Sequence, residues 1–285
     1  MPPIVEKYGI NVRLPYEVLK QEIKEKLKAY FEETGSYKVI LTGIPRKYNR
    51  FHNDTVEIAL KNALMEMYLK NITIDVDLRY INFINGTLPG DMFSCLNSSV
   101  YDHLSVFYNF IFLEKQITTI GDTAFEDNCS IKEIVIPDSV TEMGFGVCDR
   151  LEKVTLGKGI KRLGKYNAFW ICDILKEIDT SRCSSLEYIG KSALDIVRVI
   201  TEFSIPASVK EIAAFAFDEC DNLTTIIYYG DSPDKIKFPP NESIFYRCPK
   251  VKNLIVPNAI NPDDPAWKTF GNANFTYVGR EKPKQ

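Results

Sequence analysis

Apolar positions along the chain follow two rhythms. Up to about residue 70 they fall three and four apart, and beyond it they alternate in short bursts. Leu19, Ile23, Leu27, Tyr30 and Phe31 share one face of a helix predicted over 15–34, with Glu22, Lys24, Glu25 and Lys28 outside it. Pro15 suits the first turn and Gly35 the C-terminal cap. A second helix is predicted over about 54–70, with Asp54 as candidate N-cap and Val56, Ala59, Leu60, Ala63, Leu64 and Met67 along one stripe. Strands are expected at 37–41 and 72–78.

After residue 70 the bursts repeat. The stretch from Ile131 to Cys148, IKEIVIPDSVTEMGFGVC, is the most regular copy. An alternating strand ends in Ile-Pro, a second apolar pair closes on Gly, and a turn closes on Cys. Equivalent apolar-Gly steps are Ile120-Gly121, Met143-Gly144, Leu163-Gly164 and Ile189-Gly190, with Ile212-Ala213 continuing the series. Their spacing drifts around roughly 23 residues, inside a repeat window of about 20–29. Strand side chains alternate faces, so Ile134 and Ile136 are expected inward and Val135 outward. One such strand cannot bury its apolar side alone, whereas stacked copies form a parallel ladder over one continuous core.

This unit resembles the BspA-like bacterial leucine-rich repeat family, on IKEIVIPDSVTEMG and on ASVKEIAAFAFDEC at 207–220. The resemblance covers about 71–250. It implies an α/β fold, a leucine-rich repeat solenoid with a parallel strand ladder, a helical N-terminal cap and a short C-terminal cap. The expected organisation is a cap over 1–70, repeats over 71–250 and a closing segment with tail over 251–285. The first repeat is irregular, with an insertion near 96–107. Ile111 and Leu113 are expected inward in it. Gly157 and Tyr229 replace the strand-ending Pro, Thr180 replaces an apolar residue, and Arg182-Cys183 rewrite the following turn. Trp267 and Phe270 are expected to close over the last repeat.

Composition narrows the function. The formal net charge of −3 lacks the basic excess of a nucleic-acid binder. No run of about 20 apolar residues predicts a transmembrane helix, and no signal peptide is visible at the N-terminus. Seven cysteines fall mostly at repeat turns, where they serve as small buried hydrophobes rather than as a disulfide framework. His52 and His103 sit in no metal-ligand spacing, and no nucleophile elbow or phosphate loop occurs. Lys158, Lys161, Arg162 and Lys165 beside Gly157 and Gly164 have the look of an anion loop, but the repeat accounts for both glycines. Asp263 and Asp264 between prolines read as a turn.

The expectation is therefore a non-enzymatic binding module with no cofactor and no metal, whose partner is a protein or a surface polymer. No nucleic-acid binding and no membrane insertion are expected. The resemblance implies secreted or cell-surface bacterial proteins in protein–protein contact or host adhesion. The alternative is a structural or assembly element that self-associates or acts inside the cell. The candidate surface is the outward ladder face where it departs from mixed charge: Phe110 and Phe112, the neighbouring Tyr101 and Phe107, and further along Ile227 and Ile255. Outward aromatics are enriched at protein-binding sites.

Overall fold

The computed structural model describes residues 2–95, 104–164 and 168–283. Among them the chain forms three α-helices and sixteen short strands. It packs as two compact units, Met1–Ile134 and Val135–Gln285.

The first unit opens with α1 (Pro3–Tyr8), β1 (Gly9–Asn11), α2 (Tyr16–Thr34), β2 (Lys38–Gly43), α3 (Val56–Glu66) and β3 (Thr73–Ile81). Then come β4 (Thr87–Leu88), β5 (Phe107–Ile111) and β6 (Thr119–Ile120). One parallel sheet runs β1-β2-β3-β5, and β4 pairs with β6. The N-terminal strands thus extend the same ladder as the first repeat, with α2 and α3 as crossovers. Leu19, Ile23, Leu27 and Tyr30 are buried as the helical period requires, and Gly35 ends α2 at φ 72°. Phe31 is the exception at 40% exposed, and it stacks on Tyr37 instead.

The N-cap of α3 is Thr55, not Asp54. Its hydroxyl accepts from the Ile58 N–H at 3.0 Å and donates to the Ser94 carbonyl at 2.9 Å. Asp54 is drawn away by an ion pair with Arg46. Burial extends around α3 beyond the predicted stripe and takes in Glu57 and Lys61.

The frame of β5 is the reverse of the expected one. Its residues Tyr108 and Phe110 pair with the buried Ile74 and Val76 of β3. Phe110 therefore points inward, its ring against Phe93 at 4.9 Å and Phe125 at 5.3 Å. Leu113, expected inside, is 51% exposed. The stretch around β5 is apolar at both parities, so alternation alone leaves the faces undecided. The ladder decides through its polar pair, Asn109 donating to outward Asp75.

Next in the chain, across the boundary of the two units, comes β7 (Glu133–Val135). The second unit contains β8 (Lys153–Thr155), β9 (Arg162–Leu163), β10 (Glu177–Asp179), β11 (Tyr188–Ile189), β12 (Glu202–Ile205) and β13 (Glu211–Ile212). It closes with β14 (Thr225–Tyr228), β15 (Asn253–Ile255) and β16 (Tyr277–Gly279). Strands β8 and β10 pair in parallel, and a parallel sheet runs β12-β14-β15-β16. A second parallel ladder, β9-β11-β13, follows the Ile-Gly steps. Gly157 is needed where it replaces the strand-ending Pro, because a Cβ there would meet the Pro137 carbonyl oxygen at 2.4 Å.

The interior is a file of repeat-turn rings, with Phe145 on Phe169 and Phe217 on Phe245. Turn thiols donate into the preceding coil, Cys172 to the Gly146 carbonyl at 3.2 Å and Cys220 to the Leu194 carbonyl at 3.1 Å. They are more than small hydrophobes, since each satisfies a carbonyl that the ladder leaves open. All seven cysteines are free thiols. Trp267 and Phe270 are fully buried against Tyr228, and the Trp267 indole N–H donates to the Asn261 carbonyl at 2.9 Å. Asp264 caps that closing turn by accepting from the Ala266 N–H.

Candidate binding face

Outward positions of the second unit come from alternation: Lys153 and Thr155 on β8, Glu177 and Asp179 on β10, Glu202 and Ser204 on β12, Thr225 and Ile227 on β14. Their charges are mostly cross-strand pairs. Lys153 meets Glu177 at 2.8 Å, and Lys176 meets Glu152 at 2.7 Å. Such exposed pairs contribute up to about 1 kcal/mol each and leave a solvated surface.

The ladder is interrupted between β10 and β12. Among the described residues these neighbouring strands share no ladder pairing. The repeat departs from its own pattern here. Thr180 stands at the strand end, is buried, and its hydroxyl donates to the Ser204 carbonyl at 2.9 Å across the gap. A side-chain bond has replaced backbone bonds, and the interrupted edge opens a crevice of about 720 Å³. Its walls include Glu177, Asp179, Thr201, Glu202, Ser204 and Tyr229.

Among the described residues Asp179 makes no ion pair within the crevice. Hydrogen bonds from the Ser181 hydroxyl and N–H hold its carboxyl below the usual range. Tyr229, the residue that replaces the strand-ending Pro, is 41% exposed at the rim. The crevice thus combines hydroxyls, carboxylates and one aromatic face. That set suits hydrogen-bonding ligands with a stacking surface.

The expected site residues fall elsewhere. Phe110 and Phe112 lie on the inward parity, half-buried, and their rings stack at 6.3 Å. Phe107 lies on the outward parity and is half-buried. Tyr101 and His103 lie outside the described residues. Ile227 and Ile255 are on the outward face as expected but buried, at 9% and 3% exposed. The chain's own end explains this. Lys282 pairs with Glu202 at 2.6 Å, although β12 stands three strand spacings from β16, roughly 14 Å. The segment after β16 therefore reaches back across the outward face toward β12. Of the basic residues around 158–165, Lys158 pairs with Asp138, Arg162 stacks on the Tyr188 ring, and Lys165 lies outside the described residues.

Sequence reasoning missed Tyr229 and Asp179 as site residues. The departures at Thr180, Arg182-Cys183 and Tyr229 were the signal that leads to them. Among the described residues no helix is long and apolar enough to cross a membrane.

Solved structures with a similar course include a leucine-rich repeat protein from Bacteroides ovatus. It shows 18% identity and a TM-score of 0.41 over 86% of this chain and 68% of that one. The pneumococcal vaccine antigen PcpA shows 15% identity and a TM-score of 0.42, over 74% of this chain and 68% of its own. A leucine rich cell surface protein from Faecalibacterium prausnitzii shows 15% identity and a TM-score of 0.33, over 83% and 74%. No curated protein sequence matches the chain significantly. The model of the BspA type leucine rich repeat region matches in six copies, over residues 53–147, 96–224 and 187–273. With most of its length so matched, the chain belongs to the BspA-type leucine-rich repeat family.

Proposed function

We propose that the chain is a non-enzymatic binding module that engages a protein or surface polymer through the outward face of its second unit, centred on the crevice between β10 and β12. The observation that carries this reading is the interrupted ladder: the repeat gives up backbone pairing there, and a polar crevice with an exposed tyrosine results. In this reading 1–70 and 251–285 act as caps that close the ends of the repeats. Family membership supports a place at the bacterial surface. Self-association through an apolar ladder face is less favoured, because Ile227 and Ile255 are already covered by the chain itself.

The test is a screen of the full chain against matrix proteins and glycans, followed by titration of each hit with variants. Tyr229→Ala and Asp179→Ala are each expected to weaken binding by about tenfold or more, as hot-spot truncations do. Phe112→Ala is expected to bind like the parent. If only Phe112→Ala weakens binding, the site lies beside β5 and the crevice reading fails.

A further inference from the structure

The first unit holds a buried polar cluster that a binding role does not use. Glu57 and Lys61 stand one turn apart on α3, and both are shut away from solvent, at 0% and 1% exposed. Burying two charges is costly unless both are paired and hydrogen-bonded. Here the pairing is incomplete. Lys61 Nζ lies 3.9 Å from Glu57 Oε1 and donates instead to the Ser130 hydroxyl, with Cys129 Sγ at 3.5 Å. Neither Glu57 oxygen has a well-directed hydrogen bond, although the Asn128 amide lies against the carboxyl.

Asn128 is out of pattern. It follows Phe125 by three residues, the position that Cys148, Cys172 and Cys220 hold after Phe145, Phe169 and Phe217. Its Oδ1 accepts from the N–H groups of Ser130 at 2.8 Å and Ile131 at 3.1 Å, and its Nδ2 donates to the Phe93 carbonyl at 2.8 Å. These bonds fix which end of the amide is oxygen. They also place two backbone donors on a carbonyl oxygen, the arrangement that stabilises negative charge developing there. An amine and a polarised carboxamide thus both lie beside one buried carboxyl, with the Tyr108 ring centroid 5.6 Å from Lys61 Nζ.

We propose that Lys61 and Asn128 become joined by an isopeptide bond that the fold forms by itself, with Glu57 carrying the proton. Glu57 takes a proton from the Lys61 ammonium, leaving a neutral amine. Nζ attacks Asn128 Cγ, and the charge that builds on Oδ1 rests on the Ser130 and Ile131 N–H groups. Protonated Glu57 gives its proton to Nδ2 and takes the one that the attacking nitrogen sheds, the C–Nδ2 bond breaks, and ammonia leaves with Glu57 left as the neutral acid. The balance is one ammonium, one carboxylate and one carboxamide giving one secondary amide, one carboxylic acid and ammonia, with no oxidant or cofactor. Burial raises the Glu57 carboxyl from its ordinary 4.5 to about 7, which suits a group that must both take and return a proton.

The test is the intact mass of the purified full chain, with peptide mapping. The expected mass is about 17 Da below the sequence mass, one ammonia lost, with a branched tryptic peptide containing Lys61 and Asn128. Glu57→Gln is expected to restore the sequence mass while keeping the parent's circular dichroism. Recovery of Lys61 and Asn128 in separate linear peptides from the parent overturns the proposal, whatever the variants do. A loss of about 18 Da mapped to Glu57 and Lys61, water rather than ammonia, also overturns it. A bond that persists in Glu57→Gln removes Glu57 from the mechanism.

Discussion

At the residue scale, the chamber around Glu57 carries a pH dependence with a definite sign. Burial raises its carboxyl to about 7 while Lys61 and the Asn128 amide pull the other way. Cys95, Cys129 and Tyr108 are the other titratable groups facing it, and burial pushes the Cys95 thiol and the Tyr108 phenol upward. A carboxyl whose folded value lies above its unfolded value binds its proton more tightly in the native state. Its contribution to stability is therefore complete below about pH 4.5 and lost as pH rises through about 7. A shift of this size corresponds to roughly 3 kcal/mol. Urea unfolding of the parent across that window is expected to show the decline, and Glu57→Gln to flatten it. A parent curve that rises with pH from 4.5 to 7 would show the carboxylate to be stabilised instead. Asn128 was legible only with the repeats aligned on their turn phenylalanines. Aligned on the apolar-Gly step, Cys129 takes the turn position and the substitution disappears.

At the element scale, the sequence was most informative where one face is apolar and the other polar. Helix α2 formed as its period requires, and its Gly35 cap followed from the need for a left-handed residue. Helix α3 was less legible because tertiary packing surrounds it, so the stripe along Val56 and Leu60 concealed that Glu57 and Lys61 are also inside. In β5 two apolar parities left the frame to Asn109 and Asp75. The closing segment shows in the sequence through Trp267 and Phe270 and the turn at Asp263 and Asp264, and its polar support is equally specific, with Asp264 and the Asn261 carbonyl fixing the turn that carries the indole. Trp267→Ala would leave a cavity beside Tyr228 and Phe270 that the capped turn cannot close. The expected loss is about 3–5 kcal/mol, measured by chemical denaturation. A loss below about 1 kcal/mol would mean that the segment is not holding the last repeat.

At the scale of the whole molecule, the repeats explain the core but not the places where function is sought. Regular units such as 131–148 bury their alternate apolar residues, as with Ile134 and Ile136 beside the exposed Val135, and that alternation is plain in the sequence. The crevice required coordinates, because its cause is backbone pairing lost between two strands, which no side-chain pattern displays. That loss also has a consequence for cooperativity. In a stacked repeat array each coil is held by its neighbours, so a weak junction separates opening units. The β10–β12 junction keeps the β9-β11-β13 ladder but lacks the outer one. The amides of Glu202 and Ser204 face the interrupted edge, whereas Thr225 and Ile227, paired with them in register, belong to an intact ladder. Native-state hydrogen exchange is expected to find the first pair exchanging well ahead of the second. With rising denaturant, the coils on the two sides of the junction are expected to open at different free energies. Uniform protection from β8 to β15 would mean that the second ladder alone is enough to make the unit fold and unfold as one.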